Sequence, residues 1–439
     1  LKLLQDYGEH EANKIRKSDY RTLYPMLNIF VAQNGEWIIW SRNGYYASSI
    51  NGDQYIGWHI NQGSDKEARF LSVDKIKGMK RPDVIGAILR YGSEEEALKH
   101  LSLKKVDINK VSPAYIRVLK QEIITNASQV TIKFEIEGDA KKFIITQNGA
   151  LLDIKPKRIG TTNRYKFKIK PESNQDDIVI KVDSKHAVSE AVSVTIKTKT
   201  KREFHKPKLH ILSVGVSEYA TKLWNLKYAD KDAKEFVNLF KGKKDLFQDV
   251  VPTHLINEEA KRDNILDQLS HLENLEISTK DMIIIFLSGH GVNDKKKKYY
   301  FLGHDASLQR LRSKGVEWDD FIETISGIKS KIIMIVDTCH SGSIAGDKDF
   351  SKAIDTIKAK HRDIAIITAS TGDEVSQESN DWGHGALTKA IIEAIKDKKI
   401  KTIEEFGEYI KERVKSLTDG KQNPQIHIPQ SIGKLKINP

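Results

Sequence analysis

IIMIVDTCHSGS, residues 332–343, runs from a buried-strand pattern straight into reactive side chains, and it holds the only cysteine of the chain. The apolar residues Ile332 to Val336 are followed without a turn by Asp337, Thr338, Cys339, His340, Ser341 and Gly342. A second run, DMIIIFLS at 281–288, leads in the same way into Gly289, His290 and Gly291. Continuous apolar runs of this length suit strands covered on both faces, as in a parallel sheet. KLHILSVGV, THLIN and DIAIITAS read alike, and helical patterns fall near 229–241, 261–277, 317–327, 384–396 and 402–417. This alternation predicts an α/β domain with a mostly parallel sheet, helices on both faces, and its chemistry at the carboxyl ends of the strands.

If the two runs are neighbouring parallel strands, the imidazole of His290 and the thiol of Cys339 share one crevice. A free thiol, with a pKa of about 8.5, is only slightly ionised at neutral pH and needs a base beside it. His290 can take that proton and return it to a leaving amine. Attack on an amide creates an oxyanion that needs donors already in place. The backbone N–H groups of Gly291 and Cys339 are the candidates, since glycine lets the backbone approach a substrate closely. A lone cysteine or histidine would carry little weight; the pair at two strand ends carries the reading. The chemistry calls for no cofactor, and no metal-ligand set stands out.

Outward from this core, 439 residues suffice for about three domains. Residues 1–105 read as a small β-rich module with a closing helix. Asn34-Gly35, Asn43-Gly44 and Asn51-Gly52 mark turns around EWIIWS, YYASSI and QYIGWHI, and RPDVIGAILRYGSEEEALKHL reads as the helical stretch. Trp37, Trp40 and Trp58 are expected in the core of this module. Residues 110–198 alternate as AYIRVL, VTIKFEIEG, KFIITQ, ALLDI, RYKFKIK, DDIVIKV and VSVTIK, a pattern that suggests an immunoglobulin-like β-sandwich. It reads as a spacer or as a docking module for a regulatory protein partner. KTKTKREFHK, 198–207, is the expected linker into the α/β domain at 207–430.

Lysine and arginine exceed the acids by 12, but they are scattered among acidic residues, which argues against a nucleic-acid partner. Lys295 to Lys298 read as a solvated loop tip. The apolar runs fall far short of the roughly 20 residues that span a bilayer, so no membrane helix is expected, and the N-terminus lacks a secretory pattern. One cysteine forms no intramolecular disulfide, so the expected location is cytoplasmic.

With these residues in view, the chain resembles the caspase fold within the cysteine peptidases, and more closely its bacterial caspase-like and metacaspase branches. HILSVGVSEY, LKYADKDAKEF, IIIFLSGHGV, YYFLGHD, IIMIVDTCHSG, IITASTGDE and HGALTKAI match in order over 207–430. His290 precedes Cys339 by about 50 residues, as in caspases. The resemblance implies a Cys339–His290 dyad acting on a protein substrate, with Gly291 as the oxyanion glycine. Animal caspases bind aspartate through arginine and carry Gln-Ala-Cys, where this chain has Asp337-Thr338-Cys339. The metacaspase pattern implies instead that Asp337 and Asp232, the latter in KDAKEF, shape a pocket for Arg or Lys. Ser288 is expected to line that pocket, with Asp373 and Glu374 as further candidates, while His304 and His340 read as structural. Asp232 also opens a predicted helix, whose dipole favours an acid, and Asp337 at a strand end could bond loop amides.

Cleavage after Arg or Lys is therefore expected, without a predicted calcium site. SIAGDKDFSKAIDTIKAKHRD stands where caspase-like enzymes have a processing loop, so Lys348, Lys352, Lys358, Lys360 and Arg362 are candidate self-cleavage positions; a solvated helix is the other reading. The order of GYY…GWHIN, immunoglobulin-like domain and peptidase domain resembles proteins that carry WD repeats ahead of it. No WD repeats are visible and the chain opens on Leu1, so it reads as truncated or as a relative without the propeller. The alternative function is a catalytically silent scaffold on the same fold.

Overall fold

The apolar runs of the C-terminal half assemble into one sheet, reached through two smaller β units. The computed structural model describes residues 25–61, 64–65, 67–106, 111, 113–275, 277–338, 364–370, 374 and 376–438, with Cys339 described by its backbone alone. β1 (Leu27–Val31), β2 (Trp37–Ser41) and β3 (Tyr46–Ser48) form an antiparallel meander. Gly35 and Gly44 turn it with φ of 84° and 90°, where glycine alone sits without steric penalty. The third Asn-Gly pair departs from expectation: Gly52 opens a 3-10 turn, Gly52–Gln54, pressed against the Trp37 carbonyl. β4 (Gly57–Ile60) pairs with β5 (Arg69–Ser72). The single helical stretch expected next is two helices, Pro82–Tyr91 and Glu94–His100, because Gly92 is left-handed and the Ser93 side chain caps the second. Trp40 and Trp58 pack half-buried against this core, whereas Trp37 stays 39% exposed, against the expectation.

β6 (Tyr115–Val118), β7 (Glu122–Ile124), β8 (Val130–Glu137), β9 (Lys142–Gln147), β10 (Ala150–Leu151), β11 (Lys157–Arg158), β12 (Arg164–Ile169), β13 (Gln175–Asp183) and β14 (Val192–Lys197) form two sheets. Their orders are β10-β9-β13-β14-β7 and β11-β12-β8-β6. Strand alternation sends Val130, Ile132, Phe134 and Ile136 into a core shared with Ile178, Ile180 and Val194 of the facing sheet. The sequence pattern had indicated neither β7 nor β11: both are short edge strands, too brief to show a period.

The remaining strands are β15 (Lys208–Gly215), β16 (Asp249–Ile256), β17 (Met282–Asn293), β18 (Tyr299–Leu302), β19 (Gly315–Glu317), β20 (Lys331–Cys339), β21 (Ile364–Thr368), the small hairpin β22 (Glu378–Ser379) with β23 (His384–Gly385), and β24 (Gln425–His427). The sheet order is β16-β15-β17-β20-β21-β24. The first five run parallel and β24 closes the edge antiparallel. Beyond the end of β15, β18 pairs with the far end of β17 and β19 with β18. Alternate residues feed two cores. Ile283, Ile285, Ile332 and Met334 pack with Leu269, Phe321 and Ile325 of the helices Arg262–Asn274 and Trp318–Gly327. Ile284, Phe286, Ile333 and Ile335 pack with the helices Ala229–Asn238, Ala386–Lys396 and Ile403–Leu417.

Both β units are seated on this sheet. Ile50 enters the first core, and Asn51 Nδ2 donates to the Ile426 carbonyl of β24 at 2.8 Å. The sandwich meets the opposite end from the site: Leu151 N–H donates to Lys329 O at 2.9 Å, and Thr279 Oγ1 donates to Glu172 Oε1 at 3.2 Å. No helix among the described residues is long and apolar enough to cross a membrane.

Phe286 is fully buried and stacks on Phe236 with ring centroids 4.6 Å apart, so it ties β17 to the helix Ala229–Asn238. Phe286→Ala is expected to cost about 3–5 kcal/mol. A denaturant titration followed by tryptophan fluorescence should show the lowered midpoint, and an unchanged midpoint would contradict this packing.

Candidate functional site

Backbone hydrogen bonding in a parallel pair aligns residues one to one. β17 and β20 stay in register from Met282 opposite Lys331 to His290 opposite Cys339. The two residues singled out by the sequence are thus Cα partners at the carboxyl ends of adjacent strands.

His290 is buried, and the loop after β15 orients it. Its Nε2 lies 2.7 Å from the Trp224 carbonyl oxygen. A carbonyl only accepts, so Nε2 bears the proton and, in the neutral ring, Nδ1 is the basic nitrogen. The His290 amide donates to the Tyr219 hydroxyl at 2.9 Å, and the two rings lie 5.0 Å apart. Tyr219 N–H donates in turn to Asn225 Oδ1 at 2.9 Å, which folds the loop so that the Trp224 carbonyl points back at the imidazole.

Ser288 and Asp337 are register partners, two residues before His290 and Cys339, and both are buried. By strand parity Asp337 follows Ile333 and Ile335 toward the helix Ala229–Asn238, where Asp232 waits. A Cβ on Gly385 would stand 3.1 Å from Asp232 Oδ2 and 3.1 Å from Asp337 Oδ2, so the β23 backbone passes closely between the two acids and a side chain there would crowd both. Asp232 Oδ1 accepts from His384 Nδ1 at 2.6 Å and Oδ2 from Gly385 N–H at 2.9 Å. Its carboxylate is therefore engaged by the hairpin, while the residue stands in the first turn of the helix Ala229–Asn238, where the dipole also favours an acid.

The sequence reading missed Glu378. From β22 it accepts the Lys227 and Tyr228 amides at 3.2 and 3.3 Å, beside the same two aspartates. Burial raises the pKa of Asp232, opposed by its bonds to His384 and Gly385. Burial, then the charges of Asp232 and Glu378, hold Asp337 well above the usual carboxylate range. Burial likewise raises Glu378 against the two amides. Three acids crowded in a poorly solvated place favour protons or a cationic partner. Glu378 carried no signal in the sequence because a two-residue strand shows no periodicity, and His384 and Gly385 stood in the HGALTKAI match without an assigned role.

Glu374 is not part of this cluster: it accepts from Asn423 N and Nδ2, both at 2.7 Å, and ties down a loop. His304 Nδ1 contacts the Glu218 carbonyl at 2.6 Å, a structural use. Asp373, His340, Lys348, Lys352, Lys358, Lys360 and Arg362 lie outside the described residues. Among the described residues, no group of three or more His, Cys, Asp or Glu side chains is arranged to hold a metal ion.

The caspase-domain family model matches residues 209–435, just over half of the chain, and this protein belongs to that family of peptidases. No curated protein matches the sequence. Protein GSU0716 from Geobacter sulfurreducens is similar at 16% identity and a TM-score of 0.40, covering 53% of this chain and 99% of its own. The fibronectin(III)-like modules of Clostridium thermocellum CbhA show 19% identity and a TM-score of 0.17, covering 20% of this chain and 100% of theirs.

The raised Asp337 gives a signed pH expectation. A carboxyl whose folded pKa exceeds its unfolded value stabilises the fold fully below the unfolded pKa, about 3.9, and that contribution is lost as pH rises through the folded value. Asp337→Asn should therefore melt higher than the wild type at pH 7.5, by roughly 2–4 °C per kcal/mol recovered. The gain should shrink toward pH 4. A pH-independent difference in melting temperature would rule out ionisation as its cause.

Proposed function

We propose that this chain is a cysteine endopeptidase of the caspase and metacaspase type that cleaves proteins after Arg or Lys. The observation that carries the reading is the Cα pairing of His290 with Cys339, together with the tautomer imposed by the Trp224 carbonyl. In the first step Cys339 gives its proton to His290 Nδ1 and its sulfur attacks the scissile carbonyl carbon. The amides of Gly291 and Cys339 receive the oxyanion. His290 then protonates the leaving amine, and water hydrolyses the thioester with the same imidazole as base.

Selectivity rests on Asp232, Asp337 and Glu378, with Ser288 beside them. A guanidinium or ammonium entering the cluster would return to these acids the counter-charge that burial removed. An aspartate side chain would add a like charge and be rejected. The two-sheet unit at 110–198 fits an immunoglobulin-like domain, and its seat on the sheet suits a regulatory or docking role. Self-processing at Lys348, Lys352, Lys358, Lys360 or Arg362 is the regulation that such specificity implies, and the single thiol suits a reducing, cytoplasmic setting.

The test is turnover of matched fluorogenic peptides ending in Arg, Lys or Asp by wild type and Cys339→Ala. The expected result is cleavage after Arg and Lys only, falling at least about 1000-fold in the variant. Cleavage after Asp alone would keep the peptidase and remove the acidic pocket. Absence of any Cys339-dependent turnover would favour a silent scaffold on the same fold.

A further inference from the structure

Between the two catalytic candidates lies a side chain that neither the dyad nor the pocket explains. Tyr299, on β18, is buried, and its hydroxyl donates to Thr338 Oγ1 at 3.0 Å. Thr338 directly precedes Cys339. On its other side the phenol presses on Gly291, directly after His290: a Cβ there would stand 1.8 Å from the Tyr299 hydroxyl and 2.4 Å from the ring carbon that bears it. The glycine of the Gly-His-Gly motif is thus required by Tyr299, whatever a substrate requires. Trp318 closes the outer edge of the ring at 5.7 Å, nearly perpendicular. The Thr338 carbonyl accepts from Ser376 Oγ at 3.3 Å, which joins the wedge to the segment leading into the pocket hairpin.

We infer that Tyr299 is a positioning residue for the proposed reaction: its hydroxyl, wedged between Gly291 and Thr338, sets the spacing of the two oxyanion amides. The inference rests on the endopeptidase reading. The described register of β17 with β20 runs to His290 opposite Cys339, and on its other side Gly291 pairs with Phe301 of β18, the strand that carries Tyr299. The phenol joins Gly291 to residue 338 as a rigid group, with a defined hydrogen bond to Thr338. Burial raises its pKa far above the ordinary tyrosine value, so it remains a donor at any working pH. It touches no reacting atom, and it acts through the amides of residues 291 and 339.

The experiment compares wild type with Tyr299→Phe, Thr338→Val, Thr338→Ser and the Tyr299→Phe/Thr338→Val double variant, using an Arg peptide substrate, an Arg peptide aldehyde and iodoacetamide. Phenylalanine keeps the ring and removes only the hydroxyl. Tyr299→Phe and Thr338→Val should each lower kcat about tenfold with KM within about twofold, and weaken the aldehyde, whose adduct needs the oxyanion amides, by a similar factor. Alkylation of Cys339, which forms no oxyanion, should stay near the wild-type rate. Thr338→Ser should restore kcat, and the double variant should lose no more than either single. Wild-type kcat in both single variants overturns the inference. So does a loss shared equally by kcat, KM and alkylation, which would mark a packing role alone. Absence of Cys339-dependent turnover in the wild type is a separate outcome: it removes the endopeptidase reading, and this inference with it.

Discussion

The register between β17 and β20 is the constraint on which the other features rest. Each strand sends odd and even residues into different cores, so a slip by one residue would drive Ile283 and Ile285 toward the wrong helices and expose the mismatch at every position. Core packing therefore fixes the alignment far more firmly than any contact at the strand ends. His290 comes to stand opposite Cys339 as a consequence of where isoleucines must go. This is economical: the placement of His290 against Cys339 is inherited from a sheet that has to form in any case.

The acidic cluster follows the opposite logic. Asp232, Asp337 and Glu378 are brought together against their own electrostatics, and all three carboxyls are displaced upward mainly by loss of water. Only a structure with stability in hand tolerates such an arrangement. What holds it is local: the hairpin of β22 and β23 delivers Glu378 and His384, and Gly385 lets its backbone pass between the aspartates. Lys231 Nζ on the neighbouring helix donates to the Gly383 carbonyl at 3.0 Å and secures the turn of that hairpin. His290 and Cys339 thus stand on long strands and the acidic cluster on a short hairpin, two supports of different length.

The N-terminal units do more than precede the α/β sheet. Asn51 reaches its edge strand, and the sandwich packs where β17 and β20 begin. At that seam Lys331 Nζ donates to the Lys280 carbonyl at 2.6 Å, with Glu172 of the sandwich nearby. Burial lowers the lysine and raises the glutamate, each partly offset by the other's charge. The strands that carry His290 and Cys339 at one end are thereby gripped by another unit at the other.

By itself the sequence indicated most of the longer elements and placed His290 and Cys339 after two buried strands. Long apolar runs, helical periods and Asn-Gly turns are local signals, and Gly-His-Gly and Asp-Thr-Cys-His-Ser-Gly stand out because reactive residues directly follow strands. It also pointed to Asp232 and Asp337, through motif resemblance. Only the tertiary structure decided that Glu378 joins them, that Glu374 does not, that Trp224 supplies the carbonyl for His290, and that Gly291 is glycine because Tyr299 lies on it. The reason is physical. Periodicity records which face of an element is dry, whereas contacts made by two-residue strands and loop carbonyls leave no period, and become definite only once distant segments are packed together.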